Sequence, residues 1–176
     1  MLLRSFILRD YVLLTSLYKT YVRPIFEYCS VLWSPHLIKY IDETESVQRR
    51  FTRCFAPLRE LSYKERLRIL QLESLEERRL RIDLICMHKC LLGLFGDNLK
   101  SFFKNFGHSY DTRKNVFAID ISHCEQKRCF FFSRTITLWN KLPPNIADCN
   151  LSVSKFKNNI KNFDLSNFVR GQHVRL

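Results

Sequence analysis

The chain has 176 residues, 46% of them apolar, with 29 Lys and Arg against 17 Asp and Glu. This length and apolar content are enough for one ordinary domain, or two small ones, around a buried core. No apolar run reaches the ~18 residues of a membrane span, so the sequence predicts no transmembrane segment.

The N-terminus and the cysteines favour an intracellular protein. Arg4, Arg9 and Asp10 interrupt the first apolar stretch, and no small-residue cleavage site follows it, so a secretory signal is not expected. The seven cysteines are an odd number without a tight framework, which is typical of reduced thiols. No targeting signal is visible in the sequence.

The basic surplus is concentrated in two blocks. Residues 48–81 carry ten basic and five acidic side chains, and residues 99–176 carry thirteen and five. Clustered charge of this kind, with a pI near 9.6, indicates a polyanionic partner, most often nucleic acid. An anionic membrane surface is the weaker interpretation, and a solvated basic face or an acidic partner chain also fits.

The first 92 residues contain no glycine, which favours helices. Apolar positions advance by three or four residues between 14 and 32, as along one helix face. Pro24 should kink or restart this helix and Pro35 should end it. The apolar positions of this face are Leu14, Tyr18, Tyr21, Ile25, Cys29 and Leu32.

A second helix is predicted over residues 37–55, with Pro57 closing it. Its first half is acidic and its second half basic, a polarity that the helix dipole stabilises. Two Ser-x-x-Glu capping boxes then predict a short helix that runs through Leu70 and a longer one from Leu75 to about Leu92. The boxes are formed by Ser62 with Glu65 and by Ser74 with Glu77.

The C-terminal part is predicted to mix strand and helix. Residues 115–122 have the pattern of a strand, and residues 128–142 form a second apolar piece that turns into a helix before Pro143. A last amphipathic helix should begin near Ser152. The expected fold class is therefore mainly α: a thumb-like helical bundle followed by a small α+β part with a short strand pair and a terminal helix.

The predicted organisation places a subdomain boundary in the glycine-containing region between 93 and 112. The expected domains are a helical subdomain over 1–95, a linker over 96–112, a small α+β subdomain over 113–165 and a flexible tail over 166–176.

Motifs for metal-dependent or phosphate chemistry are absent from the sequence. No adjacent aspartate pair is available to hold Mg²⁺, and no glycine-rich phosphate loop occurs. Zinc stays open as a lesser alternative, because thiols and imidazoles lie near one another in two short stretches, but without the paired knuckles usual for zinc. The residues concerned are Cys86, His88 and Cys90, and His123, Cys124 and Cys129.

Basic side chains with few acidic neighbours are the best candidates for contacts to phosphates. Arg49 and Arg53 share a helix face, with Arg50 beside them. Arg78 is predicted to be the least neutralised cation of the "EERRLR" stretch, because Glu76 and Glu77 can pair with other arginines. The predicted nucleic-acid-binding residues are Arg49, Arg50, Arg53, Arg78, Lys127, Arg128 and Arg134.

Several short motifs, in order along residues 11–164, resemble the C-terminal region of non-LTR (LINE-type) retrotransposon reverse transcriptases. The motifs are Tyr21-Val22-Arg23-Pro24 with Glu27-Tyr28, Trp33-Ser34-Pro35, Val47-Gln48-Arg49-Arg50, Leu75-Glu76 with Arg78-Arg79, and Trp139-Asn140-x-Leu142-Pro143. The resemblance implies a helical thumb that grips template RNA and the RNA–DNA duplex, followed by a short tail. It also implies that Trp139 packs in a core and that the prolines after it end its helix.

The same resemblance implies that this region has no catalysis of its own. The family's catalytic aspartates and their Mg²⁺ belong to the palm, whose aromatic-Ala-Asp-Asp signature does not occur here. We therefore expect a non-enzymatic C-terminal fragment without a cofactor, whose partners are nucleic acid and the upstream fingers and palm of a parent polyprotein, and no membrane. Nuclear placement would follow only from the family's life cycle. A stand-alone remnant or a host-recruited helical module that binds a protein is the alternative.

Overall fold

The structure is a computed structural model that describes residues 10–99, 117 and 124–171. Regular structure in these residues is helical, which confirms the mainly α class. The chain divides into two compact units. The described parts of the first unit are residues 10–79 and 166–171, and those of the second are residues 80–99, 117 and 124–165. These units do not coincide with the predicted domains, and most of the predicted linker lies outside the described residues.

The first unit begins with helices that follow the predicted breaks. Asp10 caps α1 by accepting a hydrogen bond from the backbone N–H of Val12 at 2.9 Å. A π-helical turn follows α1, and α2 restarts at Arg23 with Pro24 in its first turn, as predicted. The elements are α1 (Tyr11–Leu17), the π turn (Tyr18–Val22), α2 (Arg23–Glu27) and α3 (Ser30–Trp33).

Three further helices follow in the chain, and the last of them continues into the second unit. The long helix α4 (Ile38–Arg53) runs into a 3₁₀ turn (Ala56–Leu58), and α5 (Tyr63–Ile69) and α6 (Leu75–Leu91) follow. Both predicted capping boxes are confirmed, because in each box serine and glutamate satisfy one another's backbone N–H groups.

The core of the first unit forms where α1, α4 and α5 meet. Tyr18 stacks on Phe51 with ring centroids 4.4 Å apart, and Phe51 meets Phe55 edge-on at 5.3 Å. The buried cluster consists of Leu14, Tyr18, Phe51, Phe55, Leu58, Leu70 and Leu72.

The second unit contains the rest of α6 together with α7 (Glu125–Cys129), α8 (Phe131–Trp139) and α9 (Val153–Asn162). Trp139, Phe156 and Ile160 are completely buried, which confirms the expectation that Trp139 packs in a core. Asn140 next to it accepts from the backbone N–H of Phe117 at 3.0 Å and donates to its carbonyl at 2.7 Å. The "WN" motif is therefore structural in this unit.

The predicted strand pair is not seen. Residues 128–142, predicted as an apolar piece that turns into a helix, contain the end of α7 and all of α8. The first predicted strand lies outside the described residues except for Phe117, which is a single bridge residue. Within the described ranges no strand of two or more residues occurs, because the aromatic run leads directly into helix α8.

Candidate nucleic-acid interface

The best candidate surface lies at the C-terminal half of α4, next to α5. Arg50 and Arg53 are exposed there, and Arg49 is half-buried. Neither Arg50 nor Arg53 has an acidic partner among the described residues, and cations in a last helical turn are stabilised by the helix dipole. The three predicted arginines, two in the "VQRR" segment and Arg53 after it, therefore lie at one end of this helix.

The Arg49 guanidinium lies over the aromatic ring of Tyr63. It is 5.5 Å from the centroid of the Tyr63 ring, and the ion pair of Arg49 with Asp42 is long at 3.9 Å. Glu45, one turn earlier, is completely buried and binds the Tyr63 hydroxyl and the Leu75 backbone N–H in the core. Arg49 accordingly keeps most of its charge available for an anion.

Arg66 is a fourth arginine close to this group, and it lies on the side that faces the core. It is buried, with Nε 3.1 Å from the Thr52 hydroxyl and one terminal nitrogen 2.6 Å from the Leu61 carbonyl oxygen. Burial lowers the pKa of Arg66, and the nearby charges of Arg53 and Arg49 lower it further. Three like charges thus lie close together, an arrangement that an anion would relieve. We call Arg49, Arg50, Arg53 and Arg66 the basic cluster.

A buried polar network positions the cluster. The Tyr18 hydroxyl donates to Gln48 at 2.9 Å, and the Gln48 amide donates to Tyr63 at 3.0 Å and to the Glu73 carbonyl at 2.8 Å. Tyr63 in turn donates to Glu45. Gln48, the second residue of the "VQRR" segment, is therefore the centre of a core network, while the residues after it face outward.

The structure places Arg78 in an ion-pair network instead of on a free surface. Its guanidinium makes a short hydrogen bond and a second one at 3.2 Å to Glu27, and it reaches Glu73 at 3.4 Å. Burial lowers the pKa of Arg78, but the two glutamates raise it by more. The expectation that Arg78 is the least neutralised of its stretch is wrong, because Glu27 comes from a distant helix that local spacing cannot reveal.

The two glutamates next to Arg78 also bind backbone N–H groups. Glu76 accepts from the backbone N–H groups of Arg170 and Gly171 at 2.8 and 3.0 Å, and Glu77 caps α6. The predicted i,i+4 pair of Arg23 with Glu27 is confirmed at 3.3 Å. Helix α6 therefore begins with charges that hold the first unit together.

The remaining predicted cations fall into two kinds. Arg134 binds Asp83 through two nitrogens at 2.9 and 3.0 Å and is structural in the second unit. Lys127 and Arg128 are exposed on the short helix α7. Of the seven predicted residues, Arg49, Arg50 and Arg53 lie together, whereas Arg78 and Arg134 serve ion pairs.

The sulfur and imidazole groups considered for zinc do not form a metal-binding group among the described residues. Cys86 and Cys90 share a hydrogen bond, which lowers the pKa of Cys86 and raises that of Cys90. The His88 ring stacks on Phe156 at 4.2 Å in the core, and His123 lies outside the described residues.

Sequence reasoning missed the buried side of this surface. Ile41, Glu45, Gln48 and Thr52 recur at helical spacing on the core face of α4, and all four are buried. Three of them are polar. A core face with that composition is the signal that could have predicted a hydrogen-bond network there.

Comparisons with protein-family models, with curated proteins and with solved structures find no match to this chain. None of the helices in residues 10–99 and 124–171 is long and apolar enough to cross a membrane.

Proposed function

We propose that this chain is a non-catalytic, thumb-like part of a retrotransposon RNA-directed DNA polymerase that grips template RNA and the RNA–DNA duplex. The observation that carries the proposal is the basic cluster, in which exposed arginines with few or no acidic partners stand on a rigid helix. The resemblance of the sequence motifs supplies the polymerase context.

Binding would be electrostatic and independent of sequence. Arginines neutralise backbone phosphates and release condensed counterions, so affinity falls linearly with salt concentration on a logarithmic scale. The planar guanidinium also suits bidentate contacts to phosphate. Arg49, held over Tyr63, loses little side-chain freedom when it binds, which favours a defined contact.

The test is the salt dependence of binding to an RNA–DNA hybrid, measured by fluorescence anisotropy with the whole chain. The triple variant Arg49→Gln, Arg50→Gln, Arg53→Gln should lose about one unit of slope for each phosphate contact, up to about three. An unchanged slope would show that the basic cluster does not bind the duplex.

A matched control removes the same charge elsewhere. Lys155, Lys157 and Lys161 are exposed on α9, and their replacement by glutamine also lowers the net charge by three. This control should change the slope less than the arginine variant does. Equal changes would point to diffuse attraction by the net charge of the chain.

A second candidate function is a helical module that binds a protein. Large apolar side chains exposed on α2, α3 and the start of α4 favour it, because surfaces of this kind mark interaction sites. A wild-type chain that does not bind the RNA–DNA hybrid would favour this candidate over the first.

A further inference from the structure

Eight large apolar side chains are exposed along the π turn, α2, α3 and the start of α4. Their exposed fractions run from 40% to 80%, with Tyr28 and Leu32 the most exposed. We call these residues the apolar face: Tyr21, Ile25, Tyr28, Leu32, Trp33, Leu37, Ile38 and Tyr40.

The exposure of this face follows from the backbone. The π turn at Tyr18–Val22 adds a residue to the helical turn, so Val22 packs against the core and Tyr21 and Ile25 face outward. Cys29 then adopts a left-handed conformation with φ of 50°, which breaks the helix between Tyr28 and Leu32. The face is therefore fixed by local structure.

One aromatic residue of the face is held rigidly. The Trp33 ring nitrogen donates to the Tyr28 carbonyl at 2.7 Å, and the Arg79 guanidinium lies 5.9 Å from the Trp33 ring centroid. Trp33 also lines an open groove with Pro35 and Tyr40. A preorganised aromatic side chain beside a groove is the usual composition of an interface hot spot.

The area of the apolar face matches one side of a stable interface. A free side chain of this size presents on the order of 200 Å², so the eight residues together expose roughly 900 Å². A standard protein–protein interface buries about 800 Å² on each partner. The face is therefore large enough to pair with a surface of its own size.

The charge distribution favours a second copy as that surface. Residues 1–47 carry five basic and five acidic side chains, so the net charge of +12 resides in the rest of the chain. Two copies meeting through this neutral region keep their basic surfaces apart. Lys39 and Glu43 are exposed on α4 beside the face and carry opposite charges. In a twofold symmetric dimer, Lys39 of one copy can therefore lie next to Glu43 of its partner.

We propose that the apolar face pairs with the same face of a second copy, forming a twofold symmetric dimer. Tyr28 and Leu32 of each copy pack toward the groove of the other, and Lys39 of one copy pairs with Glu43 of its partner. The proposal is independent of nucleic-acid binding, because the basic cluster lies at the other end of α4.

The first experiment measures the mass of the whole chain in solution by sedimentation equilibrium, without nucleic acid, at up to about 100 µM. The wild-type protein should have twice its chain mass of 21.2 kDa. The double variant Ile25→Glu, Leu32→Glu should weaken dimerisation by at least about a hundredfold, since four carboxylates would be buried per dimer. Both sites are exposed in the single chain, so circular dichroism should show an unchanged helix content.

The matched control is Ile69→Glu, an exposed apolar position on α5 outside the face, which should leave the dimer intact. A monomeric wild-type protein, or growth beyond the dimer with concentration, would overturn the proposal. So would equal dimerisation of the wild type and the double variant. A monomer that binds a different protein through this face would assign the face to that partner.

Charge reversal tests the twofold geometry. Lys39→Glu alone places four acidic side chains at the interface and should weaken the dimer several-fold. Adding Glu43→Lys should restore it, because the pair is then reversed and still complementary. If the double reversal is no tighter than the single one, Lys39 and Glu43 do not meet and the proposed pairing is wrong.

Discussion

The Tyr63 hydroxyl donates a hydrogen bond to the buried Glu45 carboxylate, with 2.5 Å between the two oxygens. The same carboxylate accepts the backbone N–H of Leu75, the first residue of α6, at 3.0 and 3.2 Å. Burial raises the pKa of Tyr63, and the charge of Glu45 raises it further, so the hydroxyl stays protonated as a donor. Because the ring of Tyr63 also lies beneath Arg49, one side chain connects the core network to the basic cluster.

Replacing Tyr63 by phenylalanine should separate these two roles. The ring remains beneath Arg49, but Glu45 loses a donor and the Gln48 amide loses an acceptor. We expect the free energy of unfolding to fall by about 1–3 kcal/mol. Urea titration followed by circular dichroism measures it, and Tyr11→Phe, at an exposed tyrosine of α1 outside the apolar face, is the control. Equal stability of the two variants would mean that the hydrogen bond to Glu45 contributes nothing net.

The same substitution at Arg134 and at Arg128 should lower the stability of the fold by very different amounts. Arg134→Gln leaves Asp83 in the core without its bidentate partner, and the Asp83 side chain is only 2% exposed. We expect a loss of about 3 kcal/mol in the free energy of unfolding. Arg128→Gln, on the exposed face of α7, should cost less than about 0.5 kcal/mol. A stability for Arg134→Gln equal to that of Arg128→Gln would contradict the structural role of the ion pair.

Local signals in the sequence were sufficient for most helix ends. Serine and glutamate three residues apart determine the starts of α5 and α6, because the two side chains satisfy backbone groups next to themselves. Pro24 and Pro35 likewise act through their own ring geometry. Where an element is determined by neighbours in sequence, the pattern alone predicts it.

Roles that depend on distant partners could not be predicted in this way. The sequence shows Arg78 beside two glutamates, yet it pairs with Glu27 fifty-one residues earlier. The outward turn of Tyr21 and Ile25 depends on a π turn, for which no reliable residue pattern exists. The candidate surface was predicted better, because Arg50 and Arg53 are available through the absence of nearby acids, which a sequence does show.

His88 should make stability dependent on pH. Its ring is buried against Phe156 and Trp139, and neither nitrogen has a hydrogen-bond partner of ordinary geometry among the described residues. Burial lowers the pKa of His88, while the backbone and charge of Asp148 oppose this in part. In the unfolded chain a histidine titrates near its ordinary pKa of about 6.5.

The direction of this pH dependence follows from the pKa of His88 in the folded and in the unfolded chain. Below pH of about 6.5 the unfolded chain binds a proton that the folded chain does not, so stability is complete above that pH and falls below it. The slope contributed by one group is at most about 1.4 kcal/mol per pH unit. Denaturant titrations at neutral pH and at pH near 5.5 should therefore differ more for the wild type than for His88→Phe. Parallel pH profiles of the two proteins would show that His88 is not the titrating group.

Gln71 is expected to be a site where glycine stabilises the fold. Helix α5 ends in a Schellman motif, in which the N–H of Leu72 binds the Leu67 carbonyl at 2.9 Å and the N–H of Gln71 binds that of Arg68 at 3.3 Å. Gln71 has a φ of 50°, a left-handed conformation that costs a residue with a Cβ about 1–2 kcal/mol. Gln71→Gly removes this strain but adds freedom to the unfolded chain, so the net gain should be about 0.5–1 kcal/mol.

The opposite substitution completes the test at the same position. Gln71→Val places a β-branched side chain in the left-handed region and should destabilise the fold by more than glycine stabilises it. The Gln71 side chain is exposed, so neither change disturbs core packing. Thermal unfolding of the three proteins should give the order glycine, glutamine, valine from highest to lowest Tm. A glycine variant less stable than the wild type would show that the left-handed conformation is not retained at this helix end in solution.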